Sequence, residues 1–128
     1  LELIADPHLI KIITHGDDIV GFGLAFPDAA VALQRNRGRL FPFGLLDILL
    51  EMRRTHWLAI DAGGSLPEYQ GLGGNALLYA EGMKMIQSGR FTHAAAYQVA
   101  ETAVQMRQDL ENVGAVAYKN HRVYKRTV

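Results

Sequence analysis

Hydrophobic and polar positions along the chain follow two periods, one typical of strands and one typical of helices. Short runs rich in β-branched residues, bounded by glycine, proline or aspartate, predict strands. Apolar residues spaced three and four apart predict helices. The predicted strands cover residues 9–14, 19–26, 57–66, 92–99 and 116–125, the last of which fits a strand or a hairpin. The predicted helices cover residues 28–36, 44–54, 74–87 and about 103–113.

The order of these elements, β-β-α-α-β-α-β-α-β, predicts an α/β (α+β) fold whose sheet has mixed strand directions. The first two strands flank the turn residues 15–18 and are expected to form an antiparallel hairpin. Asp28 is placed to cap the first helix. Thr102 and Gln105 have the spacing of a capping box before the last helix, and Gly114 fits the position just after it.

Charge and composition narrow the classes of partner. The chain has 13 lysines and arginines against 13 aspartates and glutamates, so its formal net charge is zero and nothing indicates nucleic acid as a partner. It has no cysteine, which fits a reducing compartment. No apolar run reaches the roughly 18 residues of a membrane span, and no signal-peptide pattern opens the sequence. We therefore expect a cytoplasmic protein with one domain over residues 1–128.

Three glycines fall within four residues at the point where a predicted strand gives way to a predicted helix. The segment reads LPEYQGLGGNALL over residues 66–78. Backbone N–H groups of such a turn converge, and the helix dipole adds positive potential, so the turn favours a phosphate or another anion. A plain turn is the alternative. The Walker pattern is absent because Asn75 and Ala76 stand where it needs lysine and serine or threonine, and Ala76 also breaks the dinucleotide fingerprint.

This segment resembles the acyl-CoA-binding motif of the GNAT acyltransferase superfamily, which follows a central strand and reads Q/R-x-x-G-x-G/A. Gln70 and Gly73 match the motif, whereas Asn75 departs from its usual small last residue. The downstream order of helix, strand, helix and a terminal strand with Tyr124 is also similar. The resemblance extends over about residues 9–126. It is nearest to an uncharacterised bacterial branch that carries a helical insertion between two strands.

The resemblance implies a GNAT-like fold, with a mixed, mostly antiparallel sheet flanked by helices and an insertion at about residues 28–55. The superfamily's N-terminal elements have no counterpart before Leu9, which implies a C-terminal portion of a longer protein. Acetyl-CoA or another acyl-CoA is the implied co-substrate, without a metal, and a small-molecule or peptide amine is the implied acceptor. The turn would hold the CoA pyrophosphate, and the strand before it would pair with the pantetheine arm. The implied cofactor-binding residues are Leu66, Gln70, Gly71, Leu72, Gly73, Gly74 and Asn75.

The catalytic pattern of the superfamily is incomplete in this chain. The resemblance places Leu110 where a tyrosine often protonates the leaving thiolate, and Ala103 near a common asparagine. Other candidates are carboxylates at the ends of predicted strands, for a base, and tyrosines on predicted strands, for a proton donor: Asp61, Glu101, Tyr97, Tyr118 and Tyr124. Surface carboxylates and core-edge tyrosines are the ordinary alternatives. Two functions stay open: an N-acyltransferase acting on an unknown amine, and a catalytically silent GNAT-fold module that binds a ligand or partner.

Three other features have ordinary structural explanations beside functional ones. The histidines show no metal-binding spacing: His8, His15, His56, His93 and His121. A basic run near the C-terminus suits a solvated strand edge better than a site for a nucleotide phosphate or nucleic acid: Lys119, His121, Arg122, Lys125 and Arg126. The apolar stretch Leu40–Leu50 fits core packing, and it leaves open a homo-oligomer interface or a lid over the substrate.

Overall fold

The computed structural model describes residues 6–126. Its four strands are β1 (Ile10–His15), β2 (Asp18–Pro27), β3 (Trp57–Ser65) and β4 (His93–Ala96). Its four α-helices are α1 (Ala30–Arg35), α2 (Gly44–Arg54), α3 (Gly74–Gln87) and α4 (Val104–Asn112). Short 3-10 turns span Pro7–Leu9 and Pro67–Tyr69. The predicted bounds of α2 and α3 are confirmed, and the predicted strand over residues 92–99 is shorter than expected.

The four strands form one sheet in the order β1-β2-β3-β4. The β1–β2 and β2–β3 pairs are antiparallel, which confirms the hairpin, and the β3–β4 pair is parallel. Ala62 pairs with Leu24 and Ile60 pairs with Ala25, so Asp61 is an extra residue in β3. An extra residue of this kind is a β-bulge, which bends its strand and increases the local twist. The mixed, mostly antiparallel sheet flanked by helices confirms the predicted fold class.

Helix α3 covers one face of the sheet. Leu58 of β3 is 2% exposed and lies in a buried cluster with Leu9 and Phe91, against which Met85 of α3 packs. Gly23 of β2 lies under the same helix, because a Cβ at this position would come within 3.1 Å of the Leu78 side chain. This face therefore holds one of the two buried apolar clusters of the described residues.

Helices α1 and α2 pack on each other in a second buried cluster, formed by Ala32, Ile48 and Met52. Arg35 of α1 ties them together with ion pairs to Asp47 (3.3 Å) and Glu51 (2.6 Å) of α2. Tight backbone contact fixes the start of α2, since a Cβ at Gly44 would collide with a main-chain carbonyl oxygen. The two helices connect β2 to β3 and occupy residues within the expected insertion.

The chain divides into two compact units between Gln98 and Val99. The second unit contains α4, and Gly114 follows this helix with a φ of +89°, as its predicted position requires. The prediction of a capping box was wrong: Ala103, and not Thr102, is the N-cap residue of α4, and it makes no side-chain cap bond. The predicted strand over residues 116–125 was also wrong, because these residues have no regular structure. A strand needs a partner in a sheet, and the pattern of apolar residues alone does not supply one.

Candidate functional site

The glycine turn joins the end of β3 to the start of α3. Gly71 has a φ of +78° and Gly73 a φ of +91°, both in the left-handed region that favours glycine. A Cβ at either position would have no neighbour within 4 Å, so backbone conformation and not crowding requires glycine there. Gly74 differs, since its Cβ would lie 3.4 Å from the Ile13 side chain. The sequence therefore encodes the shape of this turn in its glycines.

The turn presents the N-terminus of a 14-residue helix to solvent. Gly73 is the N-cap residue, and as a glycine it has no side chain with which to cap the first turn of α3. Residues 70–73 are exposed. Gln70 folds back, so that its Nε2 donates to the Ser65 carbonyl oxygen at 3.3 Å. Exposed N–H groups and a helix dipole suit an anion, and all seven predicted cofactor-binding residues lie on this one segment.

Strands β3 and β4 separate where β3 bulges. Their parallel pairing ends at Ile60 and Ala96, and the Tyr97 N–H donates to the Ile60 carbonyl oxygen at 3.0 Å. Beyond this point β3 continues to Ser65 with β2 as its strand partner. In the described sheet, the β4-facing edge of residues 61–65 is therefore open. An open edge offers main-chain groups to an extended ligand, as in β-strand addition.

A tyrosine and an aspartate meet beside this separation. The Tyr97 hydroxyl donates to Asp28 Oδ2 at 3.2 Å. Asp28 Oδ1 accepts from the Ala30 N–H at 2.7 Å, and the Asp28 N–H donates to the Trp57 carbonyl oxygen at 2.9 Å. The predicted cap is displaced by one residue: Ala29 is the N-cap residue of α1 and makes no side-chain cap bond, while Asp28, one residue earlier, accepts from the first N–H of the helix. The contact of Asp28 with Tyr97, 69 residues away, was missed because no local spacing signals it.

An open, apolar pocket of about 410 Å³ adjoins the Asp28–Tyr97 pair. It lies on the face of the sheet opposite α3, since Ala59 lines it while the adjacent Leu58 faces α3. Its other apolar walls come from β2, α1 and α2 and include Phe26, Leu33, Ile48 and Met52. The apolar stretch of α2 thus contributes both to a buried cluster and to a pocket.

The remaining predicted catalytic residues lie in different places. Asp61 is exposed in the bulge, directly after the residue that binds the Tyr97 N–H. Glu101 belongs to the second unit, where its carbonyl oxygen accepts from Arg107 at 3.5 Å. Tyr124 and Tyr118 were predicted on a strand but lie outside any strand, and Tyr124 is 84% exposed. The structure therefore brings Asp61 and Tyr97 to one point of the first unit.

Two carboxyl groups elsewhere in the first unit, Asp6 and Glu81, have lowered pKa values. The His8 backbone N–H, with the Arg90 guanidinium, holds the pKa of Asp6 below its ordinary value. Lys84 lowers the pKa of Glu81 on the exposed surface of α3. The described residues contain no group of three or more carboxylates and histidines arranged to hold a metal ion. Within the same part of the chain, no helix has the length and apolar character to cross a membrane.

Comparison with known proteins supports the fold. No family model and no curated protein sequence matches this chain. Among solved structures, the chain is similar to the aminoglycoside N-acetyltransferase AAC(6')-Iy in complex with CoA, with a TM-score of 0.61 and 16% sequence identity. The alignment covers 97% of this chain and 79% of that chain. The protein therefore has a GNAT-like fold.

Proposed function

We propose that this protein is an acyl-CoA-dependent N-acyltransferase, which transfers an acetyl or other acyl group to an amine. One observation carries the proposal: a single strand, β3, has an open edge that leads directly into a glycine turn at a helix N-terminus. Residues 61–65 cover about 16 Å of extended strand. A pyrophosphate at the turn would allow an extended arm to run along this edge and bring its far end to Tyr97.

The structural neighbour supports the choice of ligand. It is an N-acetyltransferase described in complex with CoA, and its fold matches nearly the whole of this chain. The turn offers N–H groups and a helix dipole, which suit the negative pyrophosphate of CoA. The residues proposed to hold the cofactor are those of the turn and its preceding strand end: Leu66, Gln70, Gly71, Leu72, Gly73, Gly74 and Asn75.

The proposed reaction needs two proton transfers. A neutral amine nitrogen attacks the thioester carbonyl, a C–N bond forms and the C–S bond breaks. Of the two protons that leave the ammonium form of the acceptor, one ends on the CoA sulfur and one goes to solvent. Asp61 and Tyr97 are the proposed groups beside the strand separation, for the base and the proton donor respectively. Glu101 and Tyr124 of the second unit stay candidates for the same roles.

Thermal unfolding with CoA and with its fragments tests the proposal. CoA at 100 times its Kd should stabilise the protein by about 2.7 kcal/mol, which corresponds to a rise in Tm of about 10 °C for a domain of this size. Pantetheine, which has the arm but no pyrophosphate, should give a much smaller shift. Equal shifts with both ligands would contradict the role of the turn, and no shift with millimolar CoA would refute the proposed function.

A catalytically silent binding module is the second candidate. Leu110 lies in α4 and Ala103 at its N-cap, and neither side chain can transfer a proton. Such a module would bind CoA through the same turn. Release of free CoA from acetyl-CoA, measured with a thiol reagent across a panel of amines, separates the two functions. CoA binding without release for any amine would favour the silent module.

A further inference from the structure

We infer that the pocket between α1, α2 and the sheet binds a monoamine with an apolar body, and that Asp28 binds its ammonium group. This inference rests on the proposed function, because the amine would be the acyl acceptor. It goes further by naming the pocket, the chemical class of its ligand and the residue that selects the charge.

The walls of the pocket determine the apolar part of the ligand. They come from four elements and include Phe26 of β2, Ala59 of β3, Leu33 of α1 and Met52 of α2. Burying apolar surface against such walls contributes about 25 cal/mol per Å². The volume of about 410 Å³ falls within the range of small-molecule sites. An alkyl or arylalkyl chain therefore fits this pocket better than a sugar.

Asp28 determines the charged part of the ligand. Its carboxylate lines the pocket and is half-buried. Its hydrogen bonds come from neutral donors, the Ala30 N–H and the Tyr97 hydroxyl. Among the described residues, no lysine, arginine or histidine forms an ion pair with it. An ammonium group at the mouth of the pocket would provide the missing positive charge, and hydrogen bonds to charged groups are the stronger ones.

The position of the pocket connects this ligand to the separation of β3 and β4. Tyr97 lines the pocket, and its backbone N–H binds Ile60 at the last point where the two strands pair. An amine held by Asp28 would therefore lie beside the end of the open β3 edge. The two helices that form the outer wall are held by Arg35, which pairs with Asp47 and Glu51. These ion pairs fix α1 and α2 relative to each other in the absence of a ligand.

Binding of phenethylamine, measured by isothermal titration without CoA, tests the inference independently of turnover. Its neutral analogue, phenethyl alcohol, should bind about tenfold more weakly or worse, because it forms no charge-assisted bond with Asp28. Spermidine and an aminoglycoside should also bind weakly, because a single carboxylate can pair with only one of their ammonium groups and the apolar walls would desolvate the others. Equal affinity for the amine and the alcohol would overturn the inference.

Variants of the pocket complete the test. Asp28→Asn keeps a side-chain oxygen that can accept from the Ala30 N–H and should weaken phenethylamine binding about tenfold. Leu33→Trp should fill the pocket and abolish binding, whereas Val31→Trp, at an exposed position of the same helix outside the pocket lining, should leave it unchanged. Wild-type affinity in both Asp28→Asn and Leu33→Trp would refute the inference. A CoA titration of the wild-type protein and of each variant keeps the two proposals apart: a wild-type protein that binds CoA but not phenethylamine overturns only the pocket, and unchanged CoA affinity in the variants shows that their loss of amine binding is not a loss of fold.

Discussion

Replacing Gly73 with alanine should weaken CoA binding by distorting the turn. The residue has a φ of +91° and a ψ of 0°, and the space around its Cβ position is empty. The cost is therefore conformational, about 1–2 kcal/mol for an L-residue in the left-handed region. The turn can relieve this strain by rotating its peptide groups, which would turn N–H donors away from the anion. Losing one hydrogen bond to the charged pyrophosphate should weaken the binding free energy of CoA by about 1.5–3 kcal/mol, which raises its Kd tenfold or more.

Gly89→Ala is the matched control for this experiment. Gly89 follows the other end of α3, has a φ of +84° and also has open space around its Cβ position. The two ends of this helix lie about 21 Å apart. Urea unfolding should show similar losses of stability in the two variants, while a CoA titration should show weakened binding in Gly73→Ala alone. Equal CoA affinities in both variants would refute the reasoning about the turn.

Three further predictions concern the core, the pH dependence and association. Leu58→Ala should lower the free energy of unfolding by about 2–5 kcal/mol, because it opens a cavity in the buried cluster. The control Leu50→Ala, at an exposed position of α2, should change this free energy by less than about 0.5 kcal/mol. Similar urea midpoints for the two variants would contradict this difference. The lowered pKa of Asp6 stabilises the fold above the ordinary aspartate pKa of about 3.9, and this contribution is lost as the pH falls through the lower folded value. Asp6→Asn should therefore flatten the acid side of the stability profile, and an unchanged profile would be the contrary result. The outward face of α2 carries the exposed Leu46 and Leu50, although the inner face of this helix is also apolar. Exposed apolar residues of this kind often mark a contact surface, so self-association measured by sedimentation velocity should decrease in Leu46→Glu. An unaltered sedimentation coefficient would count against an interface on this face.

Local patterns in the sequence predicted most of the elements and the shape of the turn. The helix over residues 44–54 and the glycines of the turn follow from periodicity and from the φ values that glycine alone adopts easily. The bond from the Ala30 N–H to Asp28 is local as well, and the sequence predicted that Asp28 would serve the start of α1, although the N-cap residue is Ala29. Such features can be predicted because their causes lie a few residues apart.

Features that depend on distant residues were not predicted. The contact of Tyr97 with Asp28 joins residues 69 positions apart, and the pocket beside it needs four separate elements. The bulge at Asp61 depends on the register between β2 and β3, which the sequence of β3 does not determine alone. The C-terminal strand was wrong for the opposite reason, since Val116 and Tyr118 have a strand-like pattern but are exposed and unpaired with any strand.

Strand β3 separates the two proposed ligands and makes a final prediction possible. Its end leads into the turn that opens α3, while Ala59 lines the amine pocket on the opposite face of the sheet. The amine pocket shares no residue with the glycine turn, and it approaches the proposed path of the CoA arm only near Ile60 and Tyr97, where pairing with β4 stops. We therefore expect CoA and phenethylamine to bind together. Isothermal titration of the amine at saturating CoA should give a Kd within about threefold of the value without CoA, a difference below about 0.7 kcal/mol. A large increase would mean that the ligands compete, which would contradict their placement on opposite sides of β3.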